Sequence, residues 1–171
     1  MFRTAKFRLF AVALAAAASL AVSVSAADAS IERVPATGTR VTPSVSIGAM
    51  SESLSVTRNV GSYYTVQVRG VVSMTQAGAQ QLISSGYRVN WDLYGSDPIS
   101  DDYLFGPDPA GVTATSQGLA FTGVRVVQGS LLDEDDSWFD DHDELISHAN
   151  LVNSSGATVK SAESNEVGGY F

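Results

Sequence analysis

The chain has 171 residues, of which 44% are hydrophobic, 16% charged and 9% aromatic, and it contains no cysteine. This composition supplies enough apolar residues for one hydrophobic core and excludes an intrinsically disordered chain. Ten Lys and Arg residues stand against 18 Asp and Glu residues, for a net charge of −8. An acidic surface repels phosphate backbones, so the composition argues against nucleic-acid binding.

The first 26 residues have the three parts of a secretory signal peptide. Three bases lie among the first eight residues, an apolar run covers residues 9–24, and small-residue cleavage patterns end at Ala26 and at Ala29. The apolar run is shorter than the roughly 20 residues that a membrane span needs. We therefore predict a signal peptide at 1–26 and a secreted product, extracellular or periplasmic, with no transmembrane segment in the mature chain.

Cleavage makes the protein more acidic. Residues 27–171 keep all 18 acids but only seven of the bases, which gives a net charge of −11. Without cysteine no disulfide can stabilise an exported domain, so its core or bound ions must do so. Residues 27–40 are polar and predict a flexible leader, which leaves residues 41–171 for one folded domain.

From Val41 onward, apolar and polar residues alternate with the period of two that is typical of half-buried strands. The clearest alternation runs from Tyr87 to Tyr94, and it places Trp91 in the core. A further strand begins at Leu119 and continues to Val127 through a predicted bulge at Gly123. The predicted strands are 41–47, 53–57, 64–69, 87–94, 119–127, 144–152 and 157–162.

Residues 75–86 break the alternation and predict a short helix. Thr75 is a suitable N-cap and Gly86 a suitable C-terminal stop, while Ala79, Leu82 and Ile83 share one face. Short strands separated by Gly, Asn, Asp and Pro predict an all-β protein. The expected fold is an antiparallel β-sandwich of about seven to eight strands with one short helix, and a closed barrel is the alternative.

Most of the acids are concentrated in two predicted loops. Thirteen of the 18 lie between Asp92 and Glu144, and Arg125 is the one base among them. Calcium suits such loops because it takes six to eight oxygen ligands in irregular geometry. A twelve-residue EF-hand loop starting at Asp133 does not fit, because Trp138 occupies the position of its sharp glycine turn. The candidate calcium ligands are Asp97, Asp101, Asp102, Asp133, Asp135, Asp136, Asp141 and Glu144.

The two loops resemble those of C2-type calcium-binding β-sandwiches. Gly95-Ser96-Asp97-Pro98 is similar to the Gly-x-Ser-Asp-Pro turn of that family, and Leu132-Asp-Glu-Asp135 with Asp140-Asp141 is similar to its second acidic loop. The aromatic residue and glycine that follow the second loop in the family are replaced here by Asp143-Glu144-Leu145-Ile146. The resemblance implies that aspartates of two neighbouring loops share calcium, and it does not extend to membrane docking.

The sequence contains few candidate catalytic groups. There is no cysteine, no Gly-x-Ser-x-Gly elbow and no His-Glu-x-x-His zinc pattern. His142, inside the second loop, is a candidate ligand or base, or else a solvated neighbour of carboxylates. His148 lies mid-strand, where a packing or surface role is expected. Trp138 and Phe139 form either a binding anchor at the loop tip or a plug that folds the loop back on the protein.

Two classes of function follow from these patterns. The first is a secreted, non-catalytic β-sandwich that binds calcium through its acidic loops and serves recognition or structural support, with an extracellular protein or glycan as partner. The second is an extracellular hydrolase that uses carboxylate chemistry, which rests on the surplus of acids and on His142. If the acidic loops bind no metal, they are solvated surfaces that keep an exported protein soluble.

Overall fold

The computed structural model describes residues 44–97, 100–133 and 142–171, which belong to one compact unit, Thr42–Phe171. The predicted signal peptide and leader lie outside the described residues. The same holds for Trp138, Phe139 and three of the candidate calcium ligands, Asp135, Asp136 and Asp141.

Eight strands and one α-helix make up the described fold. In chain order they are β1 (Met50–Arg58), β2 (Tyr63–Ser73), α1 (Gln76–Ser84), β3 (Arg88–Gly95), β4 (Asp102–Thr115), β5 (Gly118–Gln128), β6 (Asp143–Val152), β7 (Thr158–Glu163) and β8 (Val167–Gly169). A short 3₁₀ turn, Gly129–Leu131, follows β5. Among the described residues, no helix is long and apolar enough to cross a membrane.

All strand pairings are antiparallel, and they join the strands into one curled sheet. The order across the sheet is β1-β2-β5-β4-β3-β6-β7, and β8 pairs with the beginning of β6. The predicted all-β class with one short helix is confirmed. The predicted separation into two sheets is not confirmed, because the hydrogen-bonded path runs from β1 to β7 without a break.

Strand β4 connects the two halves of this path. Its first part, up to Ala110, pairs with β3, and its last part, Gly111–Thr115, pairs with β5. The pairing with β3 is interrupted by register shifts on either side of Leu93. No strand was predicted over the residues of β4, so this strand adds to the sequence-based assignment.

The core lies on the concave side of the sheet and draws on both halves. Val66 and Val68 of β2, Trp91 and Leu93 of β3 and Leu145 of β6 are all fully buried in one cluster. The predicted core position of Trp91 is confirmed. The alternation read in the sequence of β3 is therefore the alternation between this core and the outer face of the sheet.

The predicted bulge at Gly123 is wrong, because the β2–β5 register runs through it without a shift, with Gly123 opposite Val68. The glycine is there for another reason. A Cβ atom at Gly123 would lie 2.2 Å from Nε1 of Trp91, so the indole occupies the space that any side chain would need.

The predicted helix is confirmed over Gln76–Ser84. The hydroxyl of Thr75 accepts a hydrogen bond from the Gly78 amide at 3.1 Å, and Ala79 and Leu82 are buried. Gly86 follows the helix with φ of 80°, the left-handed conformation for which glycine has no steric penalty.

The predicted strand at 41–47 is wrong in its described part, since residues 44–49 belong to no strand. Its apolar residues pack all the same. Val45 and Ile47 lie against the core, and the amide of Gly48 donates to the Ser73 carbonyl at 2.8 Å. The alternation of apolar and polar residues here belongs to a segment that lies along the end of β2 without forming a strand ladder with it.

The curl of the sheet brings its first strand, β1, next to β6, β7 and β8. We call this junction the seam. No backbone ladder joins β1 to those strands among the described residues, and side chains connect them instead. Asn165, between β7 and β8, accepts from the Leu54 amide at 3.1 Å and donates to the Leu54 carbonyl at 3.2 Å, as a neighbouring strand would.

Candidate functional site

The first acidic loop, residues 96–101, starts beside the place where the second one ends. Gly95, the last residue of β3, pairs with Asp102 on one side and with Leu145 on the other. The amide of Ser96 also donates to the Glu144 carbonyl at 2.6 Å. The backbone thus brings residues 96–97, 101–102 and 142–144 to one edge of the sheet.

The candidate calcium ligands differ in where the structure places them. Asp97, Asp101, Asp102 and Asp133 are exposed, and Glu144 is half-buried in β6. Among the described residues, no group of three or more His, Cys, Asp or Glu side chains is arranged to hold a metal. The metal site of the prediction would therefore need Asp135, Asp136 or Asp141 as well as the exposed aspartates.

The carboxylate of Glu144 is paired with His142. Nδ1 of His142 lies 2.8 Å from Oε1 of Glu144, and the imidazole packs edge-on against Tyr170 at 5.2 Å between ring centroids. Gly168 makes room for the ring, since a Cβ there would come within 2.5 Å of its Cε1. Both His142 and Glu144, predicted as separate candidates, thus lie in one small cluster against the C-terminal segment.

The one base in the acidic region is already engaged. Nη1 of Arg125 donates to Oδ2 of Asp108 at 3.1 Å, and its guanidinium lies 4.3 Å from the ring centroid of Phe105. Because Arg125 is held by Asp108 and Phe105 in this way, it does not pair with the described aspartates of the first loop.

A polar cleft of about 330 Å³ opens on the outer face of β3, β6 and β7. We call it the β3–β6–β7 cleft. Its lining includes Asp92 and Tyr94 of β3, His148 and Asn150 of β6, and Ser161 and Glu163 of β7. Strand register explains the grouping, because outward positions of adjacent strands lie side by side.

One row of the cleft sets an imidazole between two carboxylates. His148 is the register partner of Asp92 on β3 and of Glu163 on β7. Its Nε2 lies 3.3 Å from Oε2 of Glu163 but makes no hydrogen bond among the described residues. The ring of Tyr94 packs over the imidazole at 4.8 Å between centroids. His148 therefore has the packed position that was expected. Its place between two carboxylates was not predicted.

Partial burial changes the titration of this row. Burial raises the pKa of Asp92, the nearby carboxylate of Asp108 raises it further, and His148 opposes both effects. Burial also raises the pKa of the Tyr94 hydroxyl, together with the negative charge of Asp92. Asp92 is thus partly dehydrated, whereas Glu163 at the other end of the row remains exposed.

Glu52 is a second titratable group that the sequence analysis missed. It lies on β1 at the seam, on the same side of the strand as the buried Leu54. Its Oε1 accepts from the Ser147 hydroxyl at 2.5 Å and its Oε2 from the Ala149 amide at 2.8 Å. Burial raises the pKa of Glu52 to about 7, against the lowering effect of these two hydrogen bonds.

The sequence contained a signal for Glu52 but a weak one for the cleft. Met50, Glu52, Leu54 and Val56 alternate with polar residues, so the pattern places a carboxylate on an otherwise apolar face. The meeting of Asp92, His148 and Glu163 depends on the register of three strands, which alternation within a strand does not contain.

Comparison with known proteins adds no assignment: no protein-family model, curated protein or solved structure matches the chain. What the protein does is therefore inferred from the chemistry and placement of its own residues.

Proposed function

We propose that the protein is an exported, non-catalytic binding protein whose two acidic loops hold calcium at one edge of a curled β-sheet. The observation that supports this is the pairing of Gly95 with both Asp102 and Leu145, because it starts the first loop beside the end of the second. In the C2-type domains that these loops resemble, aspartates of two neighbouring loops share calcium in the same manner.

Electrostatics favours a cation at this edge. Asp97, Asp101 and Asp102 are exposed with no base beside them in the described loop, since Arg125 is bound to Asp108. Carboxylates crowded into adjacent loops repel one another unless they remain solvated or share an ion. Extracellular calcium is abundant enough to fill sites with dissociation constants on the order of 10⁻⁴–10⁻³ M.

The acidic loops are carried by a sheet whose two halves we propose to face each other as two layers. We propose that the curl sets β2 and β5 across from β3 and β6 as in a sandwich, because residues of both halves enter one buried cluster. The calcium edge would then lie at one end of the two layers, where bound ions fix the loops for recognition of an extracellular protein or glycan.

Thermal unfolding of residues 27–171 tests the calcium site. At a free calcium concentration of 100 times the dissociation constant, linkage adds about 2.7 kcal/mol to the free energy of unfolding, which corresponds to several degrees. Magnesium should raise the melting temperature less, because it requires octahedral geometry and loses water reluctantly. The replacement Asp135→Asn should remove most of the calcium shift, whereas Glu166→Gln, outside the two loops, should leave it intact.

Two results would contradict the proposal. If millimolar calcium leaves the melting temperature unchanged, the loops are only a solvated surface. Hydrolysis of an ester or glycan that is lost in Asp135→Asn, with folding intact, would favour the hydrolase alternative.

A further inference from the structure

We propose that the β3–β6–β7 cleft binds a linear diamine, with one ammonium group at Asp92 and the other at Glu163. This goes beyond the calcium proposal, because the cleft lies on the outer face of the strands and uses none of the candidate calcium ligands.

The charge of the cleft indicates a cationic ligand. Two carboxylates flank His148 in one row, and no Lys or Arg is among the described residues that line the cleft. The carboxylate of Asp92 accepts no hydrogen bond from a described residue, and its Oδ1 packs against Gly106 of β4. Charge-assisted hydrogen bonds between ammonium and carboxylate are about twice as strong as neutral ones.

Partial dehydration strengthens this attraction. Asp92 is half-buried, so its carboxylate has lost part of its hydration, and this burial raises its pKa. A positive charge beside such a carboxylate restores the lost stabilisation of the ionised form, and the attraction acts through a lower effective dielectric than in bulk water.

The spacing of the row indicates two positive charges. Asp92 and Glu163 lie on β3 and β7, with β6 between them, and neighbouring strands are about 4.8 Å apart. Their backbones are therefore about 9.6 Å apart. Glu163 leans toward β6, with its Oε2 3.3 Å from Nε2 of His148. Oδ1 of Asp92 lies beside Gly106 of β4. A chain of four or five methylene groups with an amine at each end covers that distance.

The floor of the cleft suits the methylene chain. The tilted rings of Tyr94 and His148, 4.8 Å apart between centroids, present an aromatic surface between the two acids. Such a surface accepts an alkyl stem, and its faces attract ammonium groups. A volume of about 330 Å³ lies at the lower end of the range of small-molecule sites.

Isothermal titration of residues 27–171 with 1,4-diaminobutane, in chelator, tests the proposal without reference to calcium. The matched probes are butylamine, which has one ammonium group, and 1,4-butanediol, which has none. We expect the diamine to bind at least about tenfold more tightly than butylamine and the diol not to bind. Asp92→Asn and Glu163→Gln should each weaken diamine binding at least about tenfold, whereas Glu166→Gln removes the same charge outside the cleft and should change it little.

Other outcomes overturn the proposal. If all three variants weaken binding equally, the diamine responds only to the net charge of the protein. If butylamine binds as well as the diamine, or if the diol competes with it, the two carboxylates do not act as a pair. If Asp92→Asn does not fold, Glu163→Gln, at an exposed position, provides the same comparison, and unchanged binding by that variant is sufficient to reject the site.

Discussion

The indole of Trp91 packs directly against the backbone of β5 at Gly123, which is why β5 has a glycine in the middle of an otherwise regular strand. Trp91 is fully buried and in edge-to-face contact with Phe105, so a shift of the indole would disturb other core side chains. Glycine within a strand weakens it, and a close contact of this kind is a reason to retain one.

We expect Gly123→Ala to lower the free energy of unfolding by about 2 to 3 kcal/mol, since overpacking a filled core forces side chains from their rotamers. Gly111→Ala is the matched control in the neighbouring strand, because a Cβ there meets only the Thr122 carbonyl at 3.7 Å. Urea unfolding of both variants measures the difference. Equal stability of the two variants would show that the indole can shift.

Glu52 places a partly buried carboxylate at the seam, where it contacts Ser147 and Ala149 of β6 and lies near Glu163. The sign of its effect on stability follows from its pKa. Folding raises that pKa from 4.5 to about 7, so folding favours the protonated form. The contribution of Glu52 to the free energy of unfolding is then fully present below about pH 4.5 and is lost as the pH rises through about 7. The full shift corresponds to about 3 kcal/mol, which solvent screening of this partly exposed group reduces to about 1 to 2 kcal/mol.

The replacement Glu52→Gln should remove this decrease. A glutamine can accept from the Ala149 amide and donate to the Ser147 hydroxyl, so both hydrogen bonds persist without a charge. We expect the variant to match the wild type near pH 4.5 and to exceed it by about 1 to 2 kcal/mol at pH 8. Urea unfolding at several pH values measures this, with Glu166→Gln as control. A constant difference across the pH range would mean that Glu52 titrates normally.

At the scale of the elements, the seam differs from the other junctions between the described strands because side chains replace the backbone ladder. Asn165 satisfies both the amide and the carbonyl of Leu54, a residue that is only 5% exposed. Buried backbone groups without a partner are costly, so one amide side chain takes the part of an adjacent strand.

Asn165→Ala should therefore destabilise the protein by about 1 to 3 kcal/mol, through two unpaired backbone groups in β1. In the Asn165→Ala variant, the Leu54 amide should also exchange its hydrogen faster than the amides of β2, because β1 opens locally at the seam. Glu166→Ala, at the next position and exposed, is the control. Unchanged exchange at Leu54 would show that other contacts close the seam.

The elements that could be predicted are those whose signals are local. Helix α1 has its cap, its apolar face and its terminal glycine within twelve residues, and β3 alternates without interruption. Strand β4 contains Gly106, Pro107 and Pro109, which are depleted in strands. Those prolines lie in the part of β4 that pairs only with β3. The other side of that part has no partner strand that would need an amide donor from β4.

The candidate site likewise has one part with a local sequence signal and one part without. The acidic loops could be recognised because their residues are close in sequence, and the structure adds that the first loop starts beside the end of the second. The cleft could not, because Asp92, His148 and Glu163 lie far apart in the chain and only the pairing of β3, β6 and β7 aligns them. Register depends on packing of the whole sheet, which no single segment contains.

At the scale of the whole molecule, one hydrophobic cluster serves both halves of the curled sheet. Val66 and Phe121 from one half and Val89 and Leu145 from the other belong to it. An alternating pattern predicts which face of each strand is buried but not how many sheets share the core. The expected class was therefore correct, while the expected separation into two sheets was not confirmed.

The strand order has a consequence for how the chain folds. The β2–β5 pairing encloses β3 and β4 in the sequence, and the β3–β6 pairing encloses β4 and β5, so the two pairings interlock through β4. Neither pairing can therefore form as an independent unit before the other. Each must also close a long loop before its contacts form. Proteins dominated by such non-local pairings fold in milliseconds to seconds. We therefore expect one slow cooperative transition, with no stable half-sheet that could fold ahead of the rest.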